Sequence, residues 1–134
     1  MTDSLEISTF FPGVTAKQLY TAWLDSATHM VMTDGSRAEI DPQVGGRFSV
    51  SDGYITGTNL ELQSYQRILQ AWRTTEFPEE SPDSRLEVSL REIEGGVEIT
   101  LNQTNIPAGQ GESYREGWEE YYFTPMKEYF SEQR

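Results

Sequence analysis

Residues 86–101 read Leu-Glu-Val-Ser-Leu-Arg-Glu-Ile-Glu-Gly-Gly-Val-Glu-Ile-Thr-Leu, and this stretch decides the fold. Leu86, Val88 and Leu90 alternate with polar residues, Glu94-Gly95-Gly96 supplies a turn, and Val97, Ile99 and Leu101 alternate again. A period of two on both sides of a glycine turn predicts an antiparallel hairpin with one face buried. Upstream, the same period continues. Ala38 and Ile40, Phe48 and Val50, and Tyr54 and Ile55 are separated by Asp41-Pro42, Gly45-Gly46 and Asp52-Gly53, which predicts short strands joined by tight turns. Leu60 and Leu62 extend one of these strands, and Ile68 to Thr74 forms the next around Trp72. Between Trp72 and the hairpin, Pro78 to Pro82 with Glu79, Glu80 and the following Asp83 reads as an acidic loop and the most mobile segment.

The two ends of the chain carry the other elements. Near the start, Leu5, Ile7 and Thr9 alternate and run into Phe10-Phe11, a strand closed by Pro12-Gly13. Thr15 with Gln18 has capping-box spacing, and Leu19, Tyr20, Trp23 and Leu24 recur at helical spacing, so a helix ending near Asp25 is predicted. Ser26 to Met32 is read as a second short helix packed on its neighbours. Past the loop around Gly109 and Gly111, Tyr114, Trp118, Tyr122, Met126 and Phe130 form a continuous i, i+4 stripe, the core-facing side of a long helix. Pro125 interrupts it. A proline inside a helix removes one hydrogen bond and crowds the carbonyl four residues back, so a kink or break between Tyr121 and Pro125 is expected.

The order is strand, helices, several antiparallel strands, then a long helix: an α+β arrangement in which an amphipathic helix lies against one face of a sheet. A length of 134 residues allows one ordinary core, so residues 1–134 are read as a single domain. Lys and Arg number 10 against 22 Asp and Glu, a formal net charge of -12, which opposes attraction to nucleic-acid phosphates and to anionic lipid headgroups. No nucleic-acid partner and no membrane insertion are therefore expected. No apolar run approaches the roughly 18 residues of a membrane span, and the acidic start Met1-Thr2-Asp3-Ser4 does not read as a signal peptide. The chain has no cysteine, which excludes disulfides, a thiol nucleophile and Cys-ligated zinc, and makes a cytoplasmic location the expectation.

Four motifs carry a family resemblance: Tyr20-Thr21-Ala22-Trp23, Ile40-Asp41-Pro42-Gln43-Val44-Gly45-Gly46-Arg47-Phe48, Ala71-Trp72-Arg73, and Gly117-Trp118-Glu119-Glu120-Tyr121-Tyr122-Phe123. In order and spacing they resemble the START/Bet v 1-like superfamily, and within it the group named for the activator of Hsp90 ATPase homologue 1. The resemblance implies a helix-grip fold: a curved antiparallel sheet of about six or seven strands around a long C-terminal helix, with two short helices after the first strand. It also implies a possible Hsp90-type chaperone as partner. The activator has a separate amino-terminal domain for which 134 residues leave no place, so stimulation of a chaperone ATPase is not expected to follow from the fold.

The motif residues also have readings of their own. Gly45-Gly46 suits positive φ and close backbone approach at a sheet corner. Gly117 either lets the helix approach the sheet or gives the Trp118 indole room. Trp23, Trp72 and Trp118 are core residues or cavity walls, and Met30 and Met32 core fillers or a cavity rim.

A curved sheet under one helix leaves space for a small hydrophobic or amphipathic ligand. On the sheet side Phe48, Tyr54 and Trp72 are the candidate lining residues, on the helix side Trp118, Tyr122 and Met126, with Trp23 and Met30 at the end near the short helices. Chemistry is sparse. His29 is the one histidine, without a second metal ligand or a triad partner, and the acidic pairs Glu79-Glu80, Glu92 with Glu94, and Glu119-Glu120 read as solvated charge. No catalytic residue, metal or cofactor is assigned, and the expected role is non-enzymatic binding. The wider superfamily implies a third reading, a cavity-based cyclase or dehydratase, in which Tyr54, Tyr114 or Tyr122 would act.

Overall fold

Leu5, Ile7 and Phe11 point into the core from the first strand, and every later strand repeats that choice of face. The structure is a computed structural model that describes residues 1–132. Strand β1 (Thr2–Pro12) leads into helices α1 (Ala16–Leu24) and α2 (Ser26–Met32). Six strands follow: β2 (Glu39–Ile40), β3 (Arg47–Val50), β4 (Ile55–Gln63), β5 (Arg67–Thr74), β6 (Ser84–Ile93) and β7 (Gly96–Pro107). The chain ends in a long helix made of α3 (Gly111–Gly117), a π-helical turn (Trp118–Phe123) and α4 (Thr124–Glu132). All pairings are antiparallel, in the order β1-β7-β6-β5-β4-β3-β2. This is the expected helix-grip fold, with seven strands.

The β6–β7 hairpin has the register its alternation implies, with Leu90 opposite Ile99 and Val88 opposite Leu101. Register then propagates across the sheet. Ile7, Leu101, Val88, Ile68 and Leu62 are successive partners in one row, all apolar. The neighbouring inward row mixes types: Leu5, Gln103, Leu86, Gln70 and Asn59. Gln103, Gln70 and Asn59 are buried with Ser84, and among the described residues no buried side-chain polar atom lacks a partner. Buried polar groups are tolerated on that condition.

Beside this row β4 departs from simple alternation. The pairs Asn59–Gln70 and Glu61–Leu69 leave Leu60 without a partner, a β-bulge that turns it outward to 36% exposure. Asn59 faces inward in phase with Ile55 and Gly57, and its amide donates to the carbonyls of Asp41 at 2.9 Å and Gln43 at 3.3 Å. That anchors the corner before β3. Gly45 there has φ 83°, and a Cβ on Gly46 would lie 2.5 Å from the Asp41 carbonyl oxygen, so both properties expected of the glycine pair are used.

Thr15 caps α1 in the expected capping box, and α2 follows after Asp25, whose carboxylate accepts from the Thr28 backbone N–H at 2.9 Å. The acidic Pro78–Pro82 loop is tied down by Arg73, whose guanidinium donates to the carbonyls of Ser81 and Pro78 and to the Asp83 carboxylate. In the last helix, Tyr114, Trp118, Tyr122, Met126 and Phe130 are all buried. The irregularity expected near Pro125 takes the form of the π turn, which begins earlier, at Trp118. The Thr124 N–H donates to the Glu119 carbonyl five residues back, while φ and ψ stay helical at Trp118 and Thr124. Widening one turn just before Pro125 accommodates the missing N–H without breaking the helix. It also lets two consecutive residues, Tyr122 and Phe123, both face inward, with Phe123 edge-on to Phe11 at 6.5 Å. Among the described residues no helix is long and apolar enough to cross a membrane.

Candidate functional site

The space between sheet and long helix has two ends. At the end nearest α1 and α2 it is filled. Trp23 from α1 stacks on Trp118 at 6.1 Å between ring centroids, and Tyr122 packs on both rings at 5.3 and 4.8 Å. Phe48 crosses from β3 over Gly57, where a Cβ would lie 2.5 Å from its ring and 1.9 Å from the Ala71 carbonyl oxygen; the strand gives up a side chain so that the ring fits. What remains here is a void of about 10 Å³, at the lower limit for one water.

His29 is sealed into this end at 3% exposure. Its Nδ1 lies 2.8 Å from the Trp23 carbonyl oxygen and its Nε2 2.8 Å from the Tyr122 hydroxyl. A carbonyl only accepts, so Nδ1 carries the proton and Nε2 accepts from the Tyr122 O–H. Burial lowers the imidazole pKa to about 4, against an ordinary 6.5, and raises that of the Tyr122 phenol. This pair is neutral and structural. On the sheet side, the Trp118 indole N–H donates to Gln103 at 2.9 Å, the Gln103 amide to Ser84 at 3.0 Å, and the Ser84 hydroxyl to the Trp72 carbonyl at 2.7 Å. That relay fixes the helix over the buried polar row.

The other end is open. A cleft of about 410 Å³ lies between α3, the π turn, the loop after α2 and the start of β4. Its volume falls in the roughly 300–1,000 Å³ range of small-molecule sites. Tyr54, Ile55 and Trp72 line it from the sheet, Ser113, Tyr114, Gly117, Trp118, Tyr121 and Tyr122 from the helix, and Thr33, Asp34, Ser36 and Ser51 from the loops. A closed ring of hydrogen bonds supports the floor. The Glu76 N–H donates to Thr74 Oγ1 (3.1 Å), the Thr74 hydroxyl to the Tyr114 oxygen (2.6 Å), Tyr114 O–H to Gln110 (2.6 Å), and the Gln110 amide to the Glu76 carbonyl (3.0 Å). Tyr54 donates to the Glu76 carboxylate, and burial together with that bond raises its pKa.

The rim is built from left-handed backbone. Asp34, Ser51 and Asp52 have φ of 71°, 53° and 59°, a conformation costing roughly 1–2 kcal/mol for a residue with a side chain. Two reciprocal bonds of 3.1 Å, Arg37 N–H to the Asp52 carboxylate and Asp52 N–H to the Arg37 carbonyl, hold the two rim loops together. Gly117 opens onto the cleft. Beyond its chain neighbours, a Cβ there would meet only the Tyr121 ring, at 3.8 Å, so tight helix–sheet approach does not account for the glycine.

Of the eight residues expected to line a ligand space, Tyr54, Trp72, Trp118 and Tyr122 line the cleft. Trp23 and Phe48 belong to the packed end with residues of the small void, Met126 is fully buried in the core, and Met30 is half-buried against it. Tyr114 and Tyr121 come to the cleft through the helix stripe and its flank. The rim residues Asp34, Ser36 and Ser51 were not singled out, because their place depends on how two loops meet. Gln70 and Gln103 had a signal: each lies two residues from inward apolar positions, Ile68 and Trp72 for the first and Leu101 for the second.

The family model described as activator of Hsp90 ATPase homolog 1-like protein matches residues 13–131. The mouse activator of 90 kDa heat shock protein ATPase homolog 1 is 30% identical over 93 residues, 69% of this chain and 27% of the relative. The chain thus spans about a quarter of the length of that curated relative. The crystal structure of an HSP90 activator from Plasmodium falciparum superimposes with TM-score 0.86 and 27% identity, covering 96% of each chain. An AHSA1-like protein from Aeromonas hydrophila, solved in solution, has TM-score 0.73 and 16% identity over 98% of this chain and 94% of that one, a likeness of fold.

Proposed function

The chain belongs to the activator of Hsp90 ATPase homolog 1-like family, and from that membership we propose that it is a non-enzymatic binding domain that holds a small hydrophobic or amphipathic ligand. The observation that carries this reading is the 410 Å³ cleft, which opens where the other end of the same sheet–helix space is packed shut. Aromatic walls favour an apolar body, and the hydroxyls of Thr33, Ser36, Ser51 and Ser113 offer hydrogen bonds to a polar end. The site lies beside Trp72, Trp118 and Tyr122 instead of between Phe48 and Met126. Native mass spectrometry on protein purified gently from its host is the test. A stoichiometric adduct that disappears on denaturation and is absent from Gly117→Leu, whose side chain would enter the cleft, supports the reading; a clean apo mass overturns tight binding.

A second reading, an Hsp90-type chaperone as protein partner, is favoured by one observation: the Plasmodium protein named an HSP90 activator matches over 96% of both chains. Adding the host's Hsp90 to isotope-labelled protein should then broaden or shift a contiguous set of NMR signals. Unchanged spectra at saturating chaperone remove it.

A further inference from the structure

The chemistry of the cleft walls narrows the ligand further. Six aromatic residues, Tyr54, Trp72, Tyr114, Trp118, Tyr121 and Tyr122, line it. Trp72 and Tyr114 pack edge-on at 81°, Trp118 and Tyr122 at 62°, and Trp72 and Trp118 are tilted at 41°, so these rings form one packed wall of the cleft, with Tyr121, 65% exposed, at its mouth. The face of an aromatic ring is negative and attracts a cation, more strongly where water is partly excluded. The protein supplies no such cation to these rings: among the described residues the cation–π contacts are Lys17 over Tyr65 and Arg73 over Phe77. Asp34 is the one charged residue among the described residues lining the cleft.

The cleft also continues past Tyr121. A groove between α2 and the long helix shares Thr33, Asp34 and Tyr121 with it and adds the carboxylates of Glu120, Glu128 and Glu132. Among the described residues neither depression is lined by a lysine or arginine. An anionic ligand would meet only like charge along this path, and a neutral one would use the rings without the carboxylates. A ligand with positive charge on an apolar body uses both.

Standing on the binding-domain reading above, we infer that the ligand class is a small organic cation, an amine or quaternary ammonium with an apolar body, its charge held among the cleft rings and Asp34. The aromatic cavity makes the site; the carboxylates set its sign. Coulomb attraction from one edge carboxylate and the groove beyond is screened by salt, whereas the ring contribution is short-range and less so. Affinity should therefore fall with ionic strength without vanishing.

Three probes of matched shape test this in the full chain by tryptophan fluorescence and indole NMR signals: benzyltrimethylammonium, its uncharged carbon isostere neopentylbenzene, and phenylmethanesulfonate. Expected is saturable binding of the ammonium at least tenfold tighter than the isostere, with no effect of the sulfonate. Asp34→Asn should weaken the ammonium at least threefold and leave the isostere within twofold, and Tyr121→Leu should weaken the ammonium by at least threefold more than it weakens the isostere. Both changes spare the core, since Asn tolerates the left-handed backbone of position 34 and Tyr121 is 65% exposed. Equal binding of the isostere, or tighter binding of the sulfonate, overturns the cationic class while the cleft remains a binding site. If none of the probes moves the cleft signals, the cationic class falls as well, and the native mass then judges the binding-domain reading separately.

Discussion

The two ends of the space under the long helix use the same residue types to opposite effect. At the packed end Trp23, Phe48, Trp118 and Tyr122 converge on His29 and leave about 10 Å³; at the open end Tyr54, Trp72, Tyr114 and Tyr121 surround about 410 Å³. Aromatic content does not distinguish them. What differs is what lies opposite the helix: α1 and α2 press side chains into one end, while at the other two left-handed loops hold each other at the rim and fill nothing. A core closes where a third element covers it. A site remains where only backbone turns do.

The largest consequence of this contrast is in stability. Trp23→Ala should cost about 3–5 kcal/mol, since it removes a ring packed on three neighbours that have nothing to replace it. Tyr54→Ala, on the cleft wall, should cost less, about 1.5–3 kcal/mol, the value of its hydrogen bond to the Glu76 carboxylate. Urea unfolding at pH 7 measures both, and equal costs would show that the two ends are packed alike.

Next in size is the pH response of the packed end. Above pH 6.5 His29 is neutral in both the folded and unfolded chain. Between 6.5 and about 4 the unfolded chain takes up a proton that the folded chain refuses, so stability falls as pH falls through that window. At about 1.4 kcal/mol per pKa unit the full loss from this group is about 3 kcal/mol. The difference between the wild type and His29→Gln in urea unfolding at pH 7 and at pH 4.5 isolates it from carboxylate titration. Parallel losses in both proteins would mean that His29 is not the source.

The smallest effect has the sign that tells site from core. Gly117→Ala should raise stability by up to about 1 kcal/mol, because the added methyl meets only ordinary contact with Tyr121 and alanine favours helix. The same change should weaken binding of benzyltrimethylammonium by narrowing the cleft. A destabilised variant in thermal unfolding would instead reveal a packing demand at Gly117.

Local pattern explains why the packed sheet was legible. Alternation over residues 86–101, the Thr15–Gln18 box and the stripe from Tyr114 to Phe130 are properties of neighbours along the chain, and each appears in the structure at its expected place. Even Gln70 and Gln103 kept the parity of their strands. Pattern failed where one residue shifted the phase: the bulge at Leu60 broke the alternation after Asn59, so that Leu60 faces out and Leu62 in, and the π turn put Tyr122 and Phe123 on the same side. The candidate site was half legible for that reason. Tyr54, Trp72, Trp118 and Tyr122 follow from strand and helix faces, whereas Met126 and Phe48, equally inward, went to the core.

The sequence by itself determined the order of strands and helices, the hairpin and the aromatic stripe, since periodicity, turn residues and caps act within a few residues of one another, while the helix-grip architecture came from the resemblance its motifs carry. Only the tertiary structure decided that His29 meets Tyr122, 93 residues away, that the rim loops meet through Arg37 and Asp52, and that the sheet–helix space closes at one end and opens at the other. The balance between a filled and an empty space depends on how distant side chains share one volume, and no local pattern carries that sum.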